Sequence, residues 1–155
     1  MDLSPAHIHL MLNHIPVLGP FFLALLYIIG LFRRSRETLR TALVLTVLFS
    51  IATGGVFLTG EPAEHQVEDM TWFDEDRVHE HEERAEAGLI AALATGVLAL
   101  LALFVSRKGT PLKPALAMLV LAAVLISAGI FSWTALAGGE IRHEEIRPGM
   151  ETIDV

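Results

Sequence analysis

The chain has 155 residues, is 53% hydrophobic, has a mean hydropathy of +0.55 and carries a net charge of −7. So much apolar weight is out of range for an ordinary soluble domain, and the length suits a single domain over 1–155. The acidic balance argues against a nucleic-acid partner or a general attraction to anionic lipid, and the absence of cysteine excludes disulfides, thiolate metal sites, iron–sulfur clusters and covalent haem attachment.

The lead to Asn13 carries His7, His9 and Pro5, a residue suited to a helix start. It lacks a basic region, and no small-residue cleavage site follows, so the first apolar segment is expected to stay as a membrane span. Spans are expected over about 10–32, 39–58, 87–105 and 114–137, each close to the ~20 residues that cross ~30 Å of hydrocarbon. Pro16, Gly19, Pro20 and Gly30 interrupt the first, which neighbouring helices make tolerable. Thr59-Gly60 is expected to stop the second span and Gly138-Gly139 the fourth. Two basic turns, one with Arg33, Arg34, Arg36 and Arg40 and one with Arg107, Lys108 and Lys113, join spans one to two and three to four. An acidic segment, 60–86, joins spans two and three, and 138–155 forms a polar tail. Residues 39–58 and 115–137 are apolar all round, unlike helices of a soluble bundle. The expected fold class is therefore all-α, a four-transmembrane-helix up-down bundle. Small residues within the spans (Ala52, Gly54, Gly55, Ala91, Ala92, Ala94, Gly96, Ala122, Ala123, Ala128 and Gly129) are expected to let helix backbones approach closely.

Seven of the eleven Lys and Arg residues lie in the two basic turns, which places those turns in the cytoplasm. Both termini, the acidic segment and all seven histidines then fall on the extracytoplasmic side, as do all the carboxylates except Glu37. The expected location is a bacterial inner membrane.

Imidazole is the common protein ligand of haem iron, copper and zinc, and histidines mark the outer end of every span. A bis-histidine haem b needs two opposed imidazoles, and His14 with His81 or His143 would supply them. A second possibility is a non-haem iron, copper or zinc site. Glu61, Glu64, His65 and Glu68 share a face if the segment is helical, as do His79, Glu82, Glu83 and Glu86. The metal ligands would come from His14, Glu61, Glu64, His65, His81, Glu82 and His143. Taken singly, His7, His9 and His79 read as parts of a solvated cap. Trp72, Phe73 and Trp133 serve as interfacial anchors, with a quinone headgroup beside them a further possibility. Arg142 and Arg147 would pair with the acidic segment or with haem propionates.

Four short motifs, HLMLNHIPVLG, TGEPAE, HEE and GGEIRHEEI, resemble those of a group of bacterial four-span membrane proteins classed as a domain of unknown function. The resemblance covers nearly the whole chain and implies the four-span topology. Matched motif by motif, it marks His9, His14, Glu61, Glu64, His81, Glu82 and His143. The expected function is a membrane redox subunit that binds haem b and passes electrons between a membrane donor such as quinol and an extracytoplasmic redox partner. The alternatives are the non-haem metal site and a cofactor-free docking subunit of a larger complex.

Overall fold

Hydropathy along the chain dictates four long helices, and the computed structural model, which describes residues 3–107 and 112–147, contains them. Lys108 of the second basic turn and residues 148–155 of the tail lie outside the described residues. The elements are α1 (Pro5–Leu12), α2 (His14–Phe32), α3 (Arg36–Phe57), α4 (Gly60–Val67), α5 (Glu75–Val105), α6 (Pro114–Arg142) and a closing 3-10 turn, Glu144–Ile146. The described residues contain no strand. Four stretches are long and apolar enough to cross a membrane: Pro5–Phe32, Arg36–Val67, Glu75–Val105 and Pro114–Arg142.

Local chemistry sets the boundaries. Ser4, Ser35 and Asp74 cap α1, α3 and α5 with side-chain oxygens that accept from His7, Thr38 and Arg77 N–H groups. Pro5 and Pro114 occupy first-turn positions, where a missing N–H costs nothing. The α2–α3 turn is a Schellman closure, with Ser35 N–H donating to Gly30 O at 2.9 Å and Arg34 N–H to Leu31 O at 3.2 Å. Its left-handed residue is Arg34, at φ 52°, a conformation that glycine adopts without steric cost. Arg34→Gly is expected to stabilise the bundle by up to about 1 kcal/mol, measured as a raised midpoint of unfolding in detergent; a lowered midpoint would contradict the strain.

Each long helix packs on its sequence neighbours, and α6 closes back on α2, giving a ring in the order α2, α3, α5, α6. The interior is built from alanines, Leu43, Val120 and Val124, with Tyr27 donating to Thr46 Oγ1 at 3.0 Å and Phe49 set edge-on to Phe131 at 6.2 Å. Thr46 spends its own hydrogen on Ala42 O, which leaves Tyr27 as the donor. Large apolar side chains such as Phe22, Ile51, Val97 and Ile126 point outward. Such continuous apolar cover suits lipid, not water.

One open question is answered and one expectation needs correction. The acidic segment is largely helical. It contributes α4 and the first three turns of α5, a helix of 31 residues about 46 Å long, so its charged end projects beyond any ~30 Å apolar layer. Gly138-Gly139 does not stop α6, which continues to Arg142. Backbone hydrogen bonding is preserved there, and the chain turns at His143 instead.

The small residues also divide. Gly96 lies against Ser50, where an added Cβ would sit 2.4 Å from Oγ, and Gly88 lies against Phe131 at 2.6 Å. Gly54, Gly55 and Gly129 have nothing within 4 Å of that position, so they mediate no close approach here.

Candidate functional site

The inward stripe of α5 runs unbroken from its charged end into the apolar span, through Val78, Gly88, Ala92, Thr95 and Ala99. His81 lies seven residues before Gly88, so the helical period turns it inward, whereas His79 faces solvent. The first helices repeat this arrangement. His9 lies seven residues before the buried Pro16 and is half-buried, while His7 and His14 are exposed.

Both inward histidines have one ring nitrogen committed. His81 Nδ1 lies 3.1 Å from Thr134 O; a carbonyl only accepts, so Nδ1 carries the proton. His9 Nδ1 lies 2.8 Å from Thr59 Oγ1, whose hydrogen goes to Val56 O at 2.6 Å, so His9 Nδ1 donates as well. Each ring therefore keeps an unprotonated Nε2 lone pair, the state in which a histidine ligates metal while a second partner orients it. The two rings are near enough for the charge of His81 to disfavour a charge on His9. Gly138 packs against the His81 ring, where a Cβ would sit 3.0 Å from Cε1.

His9 and His81 themselves fall just outside the spans expected over about 10–32 and 87–105. α1 packs mainly on α4, aided by Ala6 N–H to Gln66 Oε1 at 3.0 Å, and neither helix makes an extensive interface with α5 or α6. Below, the Phe49–Phe131 pair closes the bundle centre. Thr53, less than two turns below Thr59, is buried with an unpartnered hydroxyl.

Burial pushes the pKa of His9 below the ordinary 6.5, and the charge of His81 adds to this. Burial also lowers that of His81, opposed by its bond to Thr134 and assisted by the Arg84 charge. A depressed imidazole contributes stability that is present above pH 6.5 and lost as pH falls through the lower folded value. Mild acidification is thus expected to lower the amide protection factors in α1 and the outer turns of α5, each rate being compared with the intrinsic rate at the same pH. His81→Gln should remove much of that dependence; a variant that keeps it in full would contradict the assignment. Glu64 behaves in the opposite sense. Burial first, then the charge and hydrogen bond of Glu82, raise it above the usual 4.5, with Glu61 adding and His65 opposing. Its ionisation therefore destabilises the mouth as pH rises, and Glu64→Gln should slow exchange at neutral pH.

The remaining sequence-marked residues are not gathered at this point. His14 donates from Nδ1 to Leu10 O at 3.0 Å and is exposed; His143 pairs with Glu145 at 2.9 Å, also exposed. Glu61 and His65 face solvent, as does Glu82 outside its contact with Glu64. Among the described residues, no group of three or more His, Cys, Asp or Glu side chains is arranged to hold a metal ion. His9, which reads as cap when taken singly, belongs inside. Its heptad spacing from Pro16 is the signal that identifies it.

The arginines serve the cap. Arg77 bridges Glu80 at 3.3 Å and Glu140 at 2.8 Å, Arg84 pairs with Glu80 and covers the Trp133 ring, and Arg142 lies 4.6 Å over Trp72. Arg147 donates to the end carbonyls Glu140 O and Ile141 O and approaches Asp74 at 3.9 Å. Arg147 thus pairs with the acidic segment, and Arg142 stacks on its tryptophan. No family model, curated protein or solved structure matches this chain, so its own geometry carries the functional reading.

Proposed function

We propose that the chain is an integral membrane redox subunit that would hold haem b at its histidine-bearing mouth, with His9 and His81 as the residues that would bind its iron. The observation that carries this reading is the pair of half-buried imidazoles, each held by Nδ1 with Nε2 free. Two imidazoles are what a bis-histidine haem takes from the protein, whereas a zinc-type site takes three or four ligands. The donor set fits the group in one further respect: Thr53 offers a buried hydroxyl that lacks a partner. When bound, haem b supplies one-electron transfer between a membrane donor such as quinol and an extracytoplasmic acceptor. Thr59 and Thr134 keep the ring nitrogens deprotonated on the ligating side, and the Phe49–Phe131 pair shields the site from below. The acidic cap favours a basic redox partner.

The basic turns favour placement in a bacterial cytoplasmic membrane with the mouth outside. The chain has no cysteine, so single-cysteine labelling tests this directly. With a membrane-impermeant maleimide on intact cells, Glu68→Cys should label and Arg33→Cys should not; the reverse result would invert the topology. Cofactor content is read from the optical spectrum of detergent-purified protein, oxidised and dithionite-reduced, with metal analysis. A Soret band with sharp reduced α and β bands is expected. A featureless spectrum from haem-replete cells would end this reading.

A further inference from the structure

The net charge of −7 conceals a strong polarity. The end opposite the histidines carries seven Lys and Arg residues and a single carboxylate, Glu37. Arg33, Arg34, Arg36 and Arg40 are all exposed there. Among the described residues, every ion pair lies at the other end of the bundle. Residues 108–111, between Arg107 and Lys113, contain no acid in sequence. Arg77, Arg84 and Arg147 at the acidic end all have carboxylate partners; among the described residues, Arg33, Arg34, Arg36 and Arg40 have none.

Their position decides what neutralises them. Arg36, Arg40, Val44 and Leu48 follow one another at four-residue spacing on the exposed face of α3. On the same helix, Glu37, Arg40, Thr41, Val44 and Leu45 line a shallow groove of about 330 Å³. It is charged at its top and apolar below, the order of groups in a phospholipid. A free anion would engage only the top.

We infer that this face of α3, with the arginines of the preceding turn, is a binding site for anionic phospholipid, its headgroup phosphate on Arg36 and Arg40 and an acyl chain along Val44, Leu45 and Leu48. Each basic residue near a membrane surface strengthens binding of anionic lipid about five-fold. Glu37 opposes the phosphate and limits the affinity. The site is independent of any cofactor at the other end.

Native mass spectrometry of the full-length protein in detergent, titrated with phosphatidylglycerol or phosphatidylcholine of matched chains, tests this. Phosphatidylglycerol should bind more tightly. The pair Arg36→Gln and Arg40→Gln should weaken it about 25-fold, and Glu37→Gln should strengthen it. Glycerol phosphate should not displace the lipid, since it lacks the chains. Equal binding of the two lipids, or an equal loss from Arg142→Gln at the acidic end, would overturn the inference. Displacement by glycerol phosphate would also overturn it, reducing the site to an anion site.

Discussion

His81→Ala and His9→Ala are each expected to remove the bis-histidine spectrum of the purified protein, while His14→Ala and His143→Ala keep it. The difference lies in helix phase. His81 and His9 stand one heptad outward from buried Gly88 and Pro16, and each has a protein acceptor for its Nδ1 proton. His14 is also held through Nδ1, by Leu10 O, but its ring is exposed. His143 spends Nδ1 on a neighbouring carboxylate in the closing turn. A graded test separates ligand from orienting partner. Thr59→Val leaves His9 in place but removes its acceptor, and is expected to weaken haem binding about 10–100-fold with the spectral type unchanged. If His14→Ala abolishes the spectrum and His9→Ala spares it, the ligand set drawn from the sequence is right and the one drawn from geometry is wrong. A spectrum that survives all four substitutions would remove the mouth from consideration.

Gly96→Ala is expected to destabilise the bundle by roughly 2–3 kcal/mol, and Gly96→Leu to prevent assembly. An added Cβ would sit 2.4 Å from Ser50 Oγ and 2.5 Å from its Cβ, but 4.0 Å from its Cα. The clash therefore lies with the base of a short side chain, which cannot swing away, and removing that side chain clears it. The double variant Gly96→Ala with Ser50→Gly should recover most of the loss, although glycine in α3 itself costs about 1 kcal/mol. Gly129→Ala supplies the contrast. With nothing within 4 Å, it gains helix propensity alone, and is expected to be neutral or to stabilise by up to about 1 kcal/mol. Unfolding in mixed detergent reads all four, and equal effects of Gly96→Ala and Gly129→Ala would refute the close α3–α5 contact.

How far the chain can be read without coordinates follows from which properties are additive along it. The four apolar stretches and the separation of Arg33, Arg34, Arg36 and Arg40 from the carboxylates are sums over neighbouring residues, so they are legible directly. The concentration of histidines at one end is legible for the same reason. The helical character of the acidic segment was accessible in the sequence, since Asp74 with Glu75 and Asp76 forms a capped acidic first turn and the His and Glu spacing fits one helix face. The continuation of α6 past Gly138-Gly139 was not accessible. Two glycines signal a stop locally, and only the packing of His81 and Ile146 against them explains their presence inside a helix.

The choice among the seven histidines belongs to tertiary structure. Thr59 and Thr134, the partners that fix the His9 and His81 tautomers, lie 50 and 53 residues away in sequence. No local pattern encodes such pairs. Helix phase says that a side chain faces inward, but what it meets there depends on the rotation of the neighbouring helix. The same holds for the glycines: Gly96 and Gly129 sit in similar apolar surroundings in sequence, and only the ring of α2, α3, α5 and α6 gives one a neighbour and the other open space. Composition and charge pattern along this chain determined four helices with a histidine end and a basic end. Packing decided which two imidazoles look inward with a free nitrogen.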